Sequence, residues 1–543
     1  MSASLKLYHW IDKNFLELGR EMRLSYLPPL MVYVAAGVSG LTGIVGTFFV
    51  KEYLGLSAEF LAALGFWAGI PWALKMPLGH LVDLIWKFKS VLVFIGAGLI
   101  AASLLIMVGL LSDPEMMRQI MPAEAWYVIS ALLAPVGYVL QDVVADAMTV
   151  EAVPRFDKQG QAFDAETKRL MHTTMQTLGR VAIIGGGVLV ALMNVYMFSD
   201  VETLAESQKV KVYTDIYQLA MVIPVVSVLG VLLGYYLKWG QFKQLRLSGH
   251  GRVEAWHMIN VQERAPAPNW WILGGSLVFV VFTLSMGLGD MPYNQEIIFV
   301  GSMTIIVFLM FRLTKVLDAD SRRVLVGTAI IIFVYRAVPT PGPGATWWMI
   351  DVLEFDQRFL SVLSLIAATI TLFVMFLFRR FMAEKSIAYI VVFLTIVSTA
   401  LTFPIVGMYY GFHEWTAAHT GGIVDARFIA IVDTALESPL GQVAMIPMLA
   451  WIANSAPAQL KATFFAVMAS FTNLALSASQ LGTKYVNQIF TITREVKDPV
   501  TGEVTVPANY DELGILLITV TLLVFALPLL TVIIVRQIRL QSA

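Results

Sequence analysis

Asp142 and Asp146 stand four residues apart in the apolar stretch Q-D-V-V-A-D-A-M-T-V-E, from Gln141 to Glu151. On a helix that spacing is one turn, so both carboxylates project from one face. Lys75 and Arg180 also interrupt apolar runs, and Arg336 precedes Pro339, Pro341 and Pro343. Ionisable groups in such surroundings are costly, and each carries a functional hypothesis and a partner. Lys75 lies about seven residues inside its apolar run and Asp142 and Arg180 about eight, which at 1.5 Å per residue is roughly 10–12 Å. Equal depth on three helices is what a buried charge network requires. An opposite charge favours the ionised carboxylate, and desolvation favours the neutral one. Asp142 is therefore a candidate for binding and releasing a proton, with Lys75 or Arg180 tuning it and contacting an anionic group. The competing reading is a salt-bridge cluster that holds one side of a helix bundle closed. Asp146 and Glu151, nearer the polar edge, are expected to pair with Lys87 or Lys89.

Prolines remove helix hydrogen bonds and leave carbonyls free to line a cavity. A guanidinium beside such a break, as at Arg336, suits bidentate capture of a carboxylate; a structural ion pair or snorkelling to the interface is the alternative. Asp433 and Glu437 form a second one-turn acid pair, explained equally well by a solvated helix entrance. Trp72 or Trp67 offers a face on which a flat ring can stack. Gly185, Gly186 and Gly187 lack the Lys-Ser/Thr of a phosphate loop, and close helix packing accounts for them. His413, Glu414 and His419 have the wrong spacing for a zinc protease motif. The chain has 0 cysteines, so thiol catalysis, disulfides and cysteine-ligated metals are excluded. No ATP site, nucleophile–base pair or metal set appears, and the chain reads as a non-enzyme without cofactor.

The charges need a frame of low dielectric, and composition supplies one. Apolar residues make up 58% of the chain and charged residues 14%, with a mean hydropathy of +0.73. A soluble chain of 543 residues could not hide that much apolar surface, so the solvent is a lipid bilayer. A net charge of −1 gives no reason to expect nucleic acid. Hydropathy predicts about fourteen membrane-crossing helices: 26–50, 58–82, 90–112, 125–150, 172–196, 214–238, 270–289, 294–315, 322–342, 358–380, 386–411, 427–453, 461–485 and 511–535. Surface helices over 270–315, with two spans fewer, are the rival arrangement.

Two segments, Phe48–Gly69 and Trp347–Ala368, carry one pattern: an aromatic pair, an acid four positions on, then F-L-x-x-L opening a new apolar helix. Leu54, Phe60, Leu61, Leu64 and Ala68 recur as Leu353, Phe359, Leu360, Leu363 and Ala367. The first span thus matches the ninth, which groups the helices as a bundle over 26–238, an inserted pair over 270–315 and a bundle over 322–536. Residues 239–269 form a cytoplasmic linker and 486–510 a polar external hairpin. With the N-terminus inside, cytoplasmic segments collect roughly 25 of the 37 Lys and Arg, so both termini are expected in the cytoplasm. Residues 1–25, with Lys6, Lys13, Arg20 and Arg23, lack a signal-peptide pattern and read as an amphipathic surface helix.

The loop Gly79–Lys89, G-H-L-V-D-L-I-W-K-F-K, resembles the major-facilitator signature G-x-L-x-D-x-x-x-(R/K)-x-(R/K). The resemblance implies an all-α polytopic protein of two six-helix bundles with its substrate site between them. It also implies a cytoplasmic latch in which Gly79 permits close helix contact, Asp83 caps a neighbouring helix and Lys87 and Lys89 meet acids such as Asp146 and Glu151. Four further pieces are similar to the folate–biopterin transporter family: P-W-A-L-K-x-P (Pro71, Trp72, Lys75, Pro77), the Gln141–Glu151 stretch, R-A-V-P-T-P-G (Arg336–Gly342) and the segment Met445–Asn473. They are spread over both halves and spare the inserted pair and the 486–510 loop. W-x-x-K, Q-D-x-x-x-D and L-G-R at Leu178–Arg180 are shared with muropeptide permeases.

This resemblance implies a secondary active transporter in a bacterial inner membrane, moving folate, pterin or a similar small organic anion by alternating access in symport with protons. A muropeptide-type permease and a non-transporting assembly factor on the same fold are the alternatives. A pterin presents adjacent N–H donors that the Asp142 carboxylate can accept, and folate adds carboxylates that call for Arg180 or Arg336.

Overall fold

In lipid every backbone N–H and C=O must find its partner within the protein, which leaves helices as the way for so apolar a chain to cross. The computed structural model describes residues 22–53, 56–73, 75–154, 163–199, 201, 204–259, 270–288, 292–315, 317–377, 385–437, 440, 461–497, 504–540 and 542. Among the described residues, nine helices are long and apolar enough to cross a membrane. That is fewer than the sequence reading proposed. The helix of the ninth expected span ends at Arg336, before its prolines, and a separate short helix starts at Pro343; residues 438–439 and 441–460, within and after the twelfth, lie outside the described residues. So do residues 1–21 of the expected surface helix, residues 260–269 of the linker and most of the Met445–Asn473 motif.

The first half contains α1 (Leu27–Val38), α2 (Gly43–Tyr53), α3 (Ala58–Ala73), α4 (Lys75–Leu84), α5 (Ser90–Ser112), α6 (Ala123–Ala152), α7 (Ala165–Met197), α8 (Glu206–Ala220) and α9 (Val222–Leu247). Two helices follow, α10 (Trp270–Leu288) and α11 (Asn294–Thr314), packed on each other. The second half contains α12 (Ala319–Arg336), α13 (Pro343–Asp351), α14 (Gln357–Leu377), α15 (Ile387–Tyr409), α16 (Ala426–Glu437), α17 (Lys461–Ile489) and α18 (Leu513–Gln537). Between α17 and α18 a small hairpin pairs β1 (Val496–Lys497) antiparallel with β2 (Val504–Val506).

The sequence repeat reappears as contact geometry. Its two copies form the α2–α3 and α13–α14 junctions. Across the halves α3 packs on α17 and α14 on α7, while α2 meets α14 and α13 meets α3. Exchanging the halves turns each contact into its counterpart, as a pseudo-two-fold axis along the membrane normal requires. Polar bonds stitch this interface: Gln357 donates to the Tyr213 hydroxyl at 2.8 Å, Asn473 donates to the Trp72 carbonyl at 3.1 Å, and Gln488 donates to Glu59.

Within the first half, small residues set helix spacing, because lipid offers no hydrophobic drive for helices to associate. A Cβ placed at Gly96 of α5 would lie 2.6 Å from the Gly137 carbonyl of α6, and one at Gly137 would lie 2.7 Å from the Gly96 carbonyl. Ser103 donates to the Ser130 carbonyl at 2.8 Å along the same seam. Of the three consecutive glycines, Gly186 is the one in close contact, where a Cβ would come within 2.8 Å of Gly37 Cα on α1. Gly98, two residues from Gly96, faces open space.

Gly96→Leu is therefore expected to force α5 from α6 and lower stability by about 1–3 kcal/mol, with Gly98→Leu close to neutral. Thermal unfolding of the two variants in detergent checks this; equal effects would refute the paired-glycine seam.

Candidate functional site

Lys75 opens α4 and turns its ammonium onto the acidic face of α6. Its Nζ lies 2.5 Å from Asp142 Oδ2 and 2.9 Å from Asp146 Oδ2. The buried Tyr33 of α1 donates its hydroxyl to Asp146 Oδ1 at 2.6 Å. Arg180 of α7, half-buried, is close enough to interact electrostatically with Asp142 and Tyr33. The two acids differ in access: the Asp142 side chain is 14% exposed and that of Asp146 45%. One shared ammonium thus holds two carboxylates together, and Arg180 supplies the balancing charge at longer range. A buried carboxylate that keeps its cation stays ionised, and one that loses it is driven to take up a proton.

Asp146 departs from expectation here, since it pairs with Lys75 and Tyr33 instead of Lys87 or Lys89. The reason is rotation about the helix. Four residues return Asp146 to the face of Asp142, whereas Glu151, five further on, turns about 140° away. Glu151 alone reaches the basic loop. Its Oε1 lies 2.7 Å from Lys89 Nζ and its Oε2 2.8 Å from Lys238 Nζ of α9. The Lys89 ammonium also sits 4.1 Å over the Trp86 ring. Burial pushes Lys89 down from its ordinary range despite that pairing. Burial alone would raise Glu151, but Lys238 and Lys89 outweigh it and hold its carboxyl below the usual range. Lys87 is exposed. A Cβ on Gly79 would meet nothing within 4 Å among the described residues, so the close helix contact expected there is absent. The Asp83 side chain lies outside the described residues.

Arg336 is the last residue of α12 and belongs to the opposite half from Lys75. Its guanidinium is half-buried, and Nη1 is buried with no acceptor among the described residues. Two carbonyls at the proline break are taken by the protein itself. Ser479 donates to the Val338 carbonyl at 2.6 Å and Asn487 to the Pro341 carbonyl at 3.2 Å, while Thr340 N–H donates to Thr483 Oγ1 at 2.9 Å. Buried carbonyls demand partners, and the polar face of α17 meets them. Trp72 is half-buried against the apolar cluster of Val139, Val143 and Val144. Asp433 has a buried Oδ1 without a partner, and Glu437 one turn on is exposed.

Sequence reasoning missed Tyr33 and Lys238 as members of these clusters. Tyr33 carries no charge to draw notice in an apolar helix, and Lys238 read as one member of a basic run. Neither helix rotation nor the α5–α6–α9 packing that brings Lys238 to Glu151 is written in linear spacing.

Comparison with known proteins gives this geometry a setting. The model of the BT1 family matches residues 36–541. A folate-biopterin transporter from Synechocystis sp. is 21% identical over 462 residues, which covers 84% of this chain and 74% of that protein. Among solved structures, peptide transporter POT in complex with alafosfalin superimposes with a TM-score of 0.59 at 15% identity, over 96% of this chain and 96% of that one. Nucleoside transporter NupG does so with a TM-score of 0.52 at 11% identity, over 94% of this chain and 99% of that one. At such identities the likeness establishes the fold alone, that of the major facilitators.

Lys75→Met strands two carboxylates. Breaking a buried pair costs about 3–5 kcal/mol, and the half-exposure of Asp146 reduces this toward about 2–3 kcal/mol. Adding Asp142→Asn is expected to recover part of that loss, and strict additivity in unfolding experiments would refute the shared-cation geometry. For Glu151 the folded pKa is depressed, so its contribution is present above the unfolded value near ~4.3 and is lost as pH falls through the folded one. The stability gap between wild type and Glu151→Gln should therefore close on acidification; a gap that widens would contradict the assignment.

Proposed function

We propose a substrate and a mechanism from one premise: the chain belongs to the BT1 family and is an integral membrane transporter of small molecules. It moves folate, a pterin or a similar small organic anion by alternating access, coupled to protons. The observation that carries this reading is the single Lys75 ammonium held between Asp142 and Asp146. An arriving carboxylate competes with Asp142 for Lys75 or takes Arg180. Asp142, deprived of its cation away from water, then accepts a proton, and the solute and proton are carried together.

Three residues divide the work of recognition. While still ionised, Asp142 accepts the adjacent N–H donors of a pterin, before the proton arrives, and Trp72 offers a ring face. Arg336, with its unpartnered Nη1 in the second half, takes a carboxylate from the other side. A solute gripped by Arg336 and by the Lys75 cluster bridges both halves, and its departure releases them from each other. The residues 26–238 and 322–536 act as the two rocking bundles, with 270–315 inserted between them in sequence. Lys89, Glu151 and Lys238 hold the latch at the cytoplasmic end of the first bundle, with Gly79, Asp83 and Lys87 on the segment that carries Lys89. The positive-charge distribution supports cytoplasmic termini and insertion in a bacterial inner membrane. The similarity to the folate-biopterin transporter of Synechocystis sp. supports folate and biopterin as the first solutes to test.

The test is uptake of labelled folate and biopterin into vesicles holding the purified protein, with and without an imposed proton gradient. Wild type should accumulate one of them in response to the gradient, and Asp142→Asn should lose that response by about tenfold or more. Uptake that ignores both gradient and mutation would remove the coupling role of Asp142. No uptake of either compound would remove the solute class.

A further inference from the structure

Arg494 lies between α17 and β1 and belongs neither to the Lys75 cluster nor to the end of α12 that carries Arg336. It is 3% exposed, yet Nε, Nη1 and Nη2 are all buried without an acceptor among the described residues. Its guanidinium carbon sits 5.2 Å over the ring of Trp347, itself 2% exposed. Asp351, one turn along α13 from Trp347, is the acid whose charge Arg494 feels. It receives the Tyr510 hydroxyl at 2.5 Å and no hydrogen bond from Arg494. Burial pushes the guanidinium down to about 10, with Tyr510 and Asp351 opposing that fall.

A guanidinium is a rigid planar fork of five donors, and burying it unpaired is among the costliest arrangements a fold can hold. The Trp347 face engages the flat side of the cation and leaves its edge for an acceptor lying in the guanidinium plane. A carboxylate matches that edge with two parallel N–H···O bonds, which a lysine could not reproduce. A guanidinium only 3% exposed admits at most a small carboxylate or the carboxylate tip of a longer molecule. We propose that Arg494, floored by Trp347, is a carboxylate-binding site beside the β1–β2 hairpin, distinct from the charge cluster around Lys75.

Acetate is the probe. The full-length protein in detergent is unfolded thermally at constant ionic strength while acetate replaces methanesulfonate. A ligand that binds only the folded form raises the melting temperature saturably. Wild type should show that rise. Arg494→Met should melt higher than wild type without acetate, since the unpaired cation is gone, and should not respond to it. Arg494→Lys keeps the charge without the fork and should lose most of the response, which serves if the methionine variant does not fold. Equal acetate responses in wild type and both variants, or no response in wild type, would overturn the site. Two further arms separate the sources of the carboxylate. Folate acting on wild type, but not on Arg494→Lys, at concentrations far below acetate identifies the tail of a larger solute; folate no better than biopterin, which lacks a carboxylate, identifies a free small anion. The acetate arm stands whether or not either compound is transported.

Discussion

One ammonium placed between two carboxylates is the constraint on which the first half of this protein depends. Asp142 and Asp146 are one helical turn apart on α6 and repel each other wherever the dielectric is low. Lys75 removes that repulsion from both at once, and in doing so fixes the start of α4 against α6. Tyr33 then ties α1 to the same acid. Three helices are thereby held by a single positive charge, so any group that draws Lys75 away acts on all of them together. Arg180 stands near enough to act on the field of Asp142 and makes no ion pair among the described residues.

The two halves share a frame but not an endowment. The repeat sets equivalent contacts, α3 on α17 and α14 on α7, so the halves meet in symmetric fashion. Charge is distributed otherwise. The first half concentrates its ions at Lys75 and at the Lys89–Glu151–Lys238 bridge. The second half presents a broken helix ending at Arg336. Symmetric rocking of unlike halves is what a carrier needs if one half is to manage protons and the other to hold an anion.

Much of this was legible in the sequence, for identifiable reasons. The fold followed from a solvent argument, because 58% apolar residues leave few places for such a chain except lipid, and from the repeated junction at Phe48–Gly69 and Trp347–Ala368. The meeting of Lys75 with Asp142 followed from depth, since helix rise converts residue count into distance. Rotation about the helix axis was not available in the same way. It decides that Asp146 joins Lys75 while Glu151 turns to Lys89, and it depends on how α6 is seated by Gly96 and Gly137 against α5. Tyr33 was invisible because a neutral hydroxyl in an apolar helix leaves no mark on hydropathy or charge. The partners of the Val338 and Pro341 carbonyls lie about 140 residues downstream, a distance that local spacing does not show.

Those carbonyls say how the second half is tied together. Ser479, Thr483 and Asn487 recur every four residues and so line one face of α17. Each bonds the break between α12 and α13, at Val338, Thr340 and Pro341. Gly482 brings the same helix against Pro339. Sliding α17 along the break would leave buried carbonyls unpaired, at a cost of about 1–3 kcal/mol for each group. The break and α17 must therefore move as one body. That body also reaches the first half, through Asn473 at the Trp72 carbonyl and Gln488 at Glu59. Trp72 lies three residues before Lys75, so a displacement of α17 is delivered close to the one charge that holds α1, α4 and α6 together.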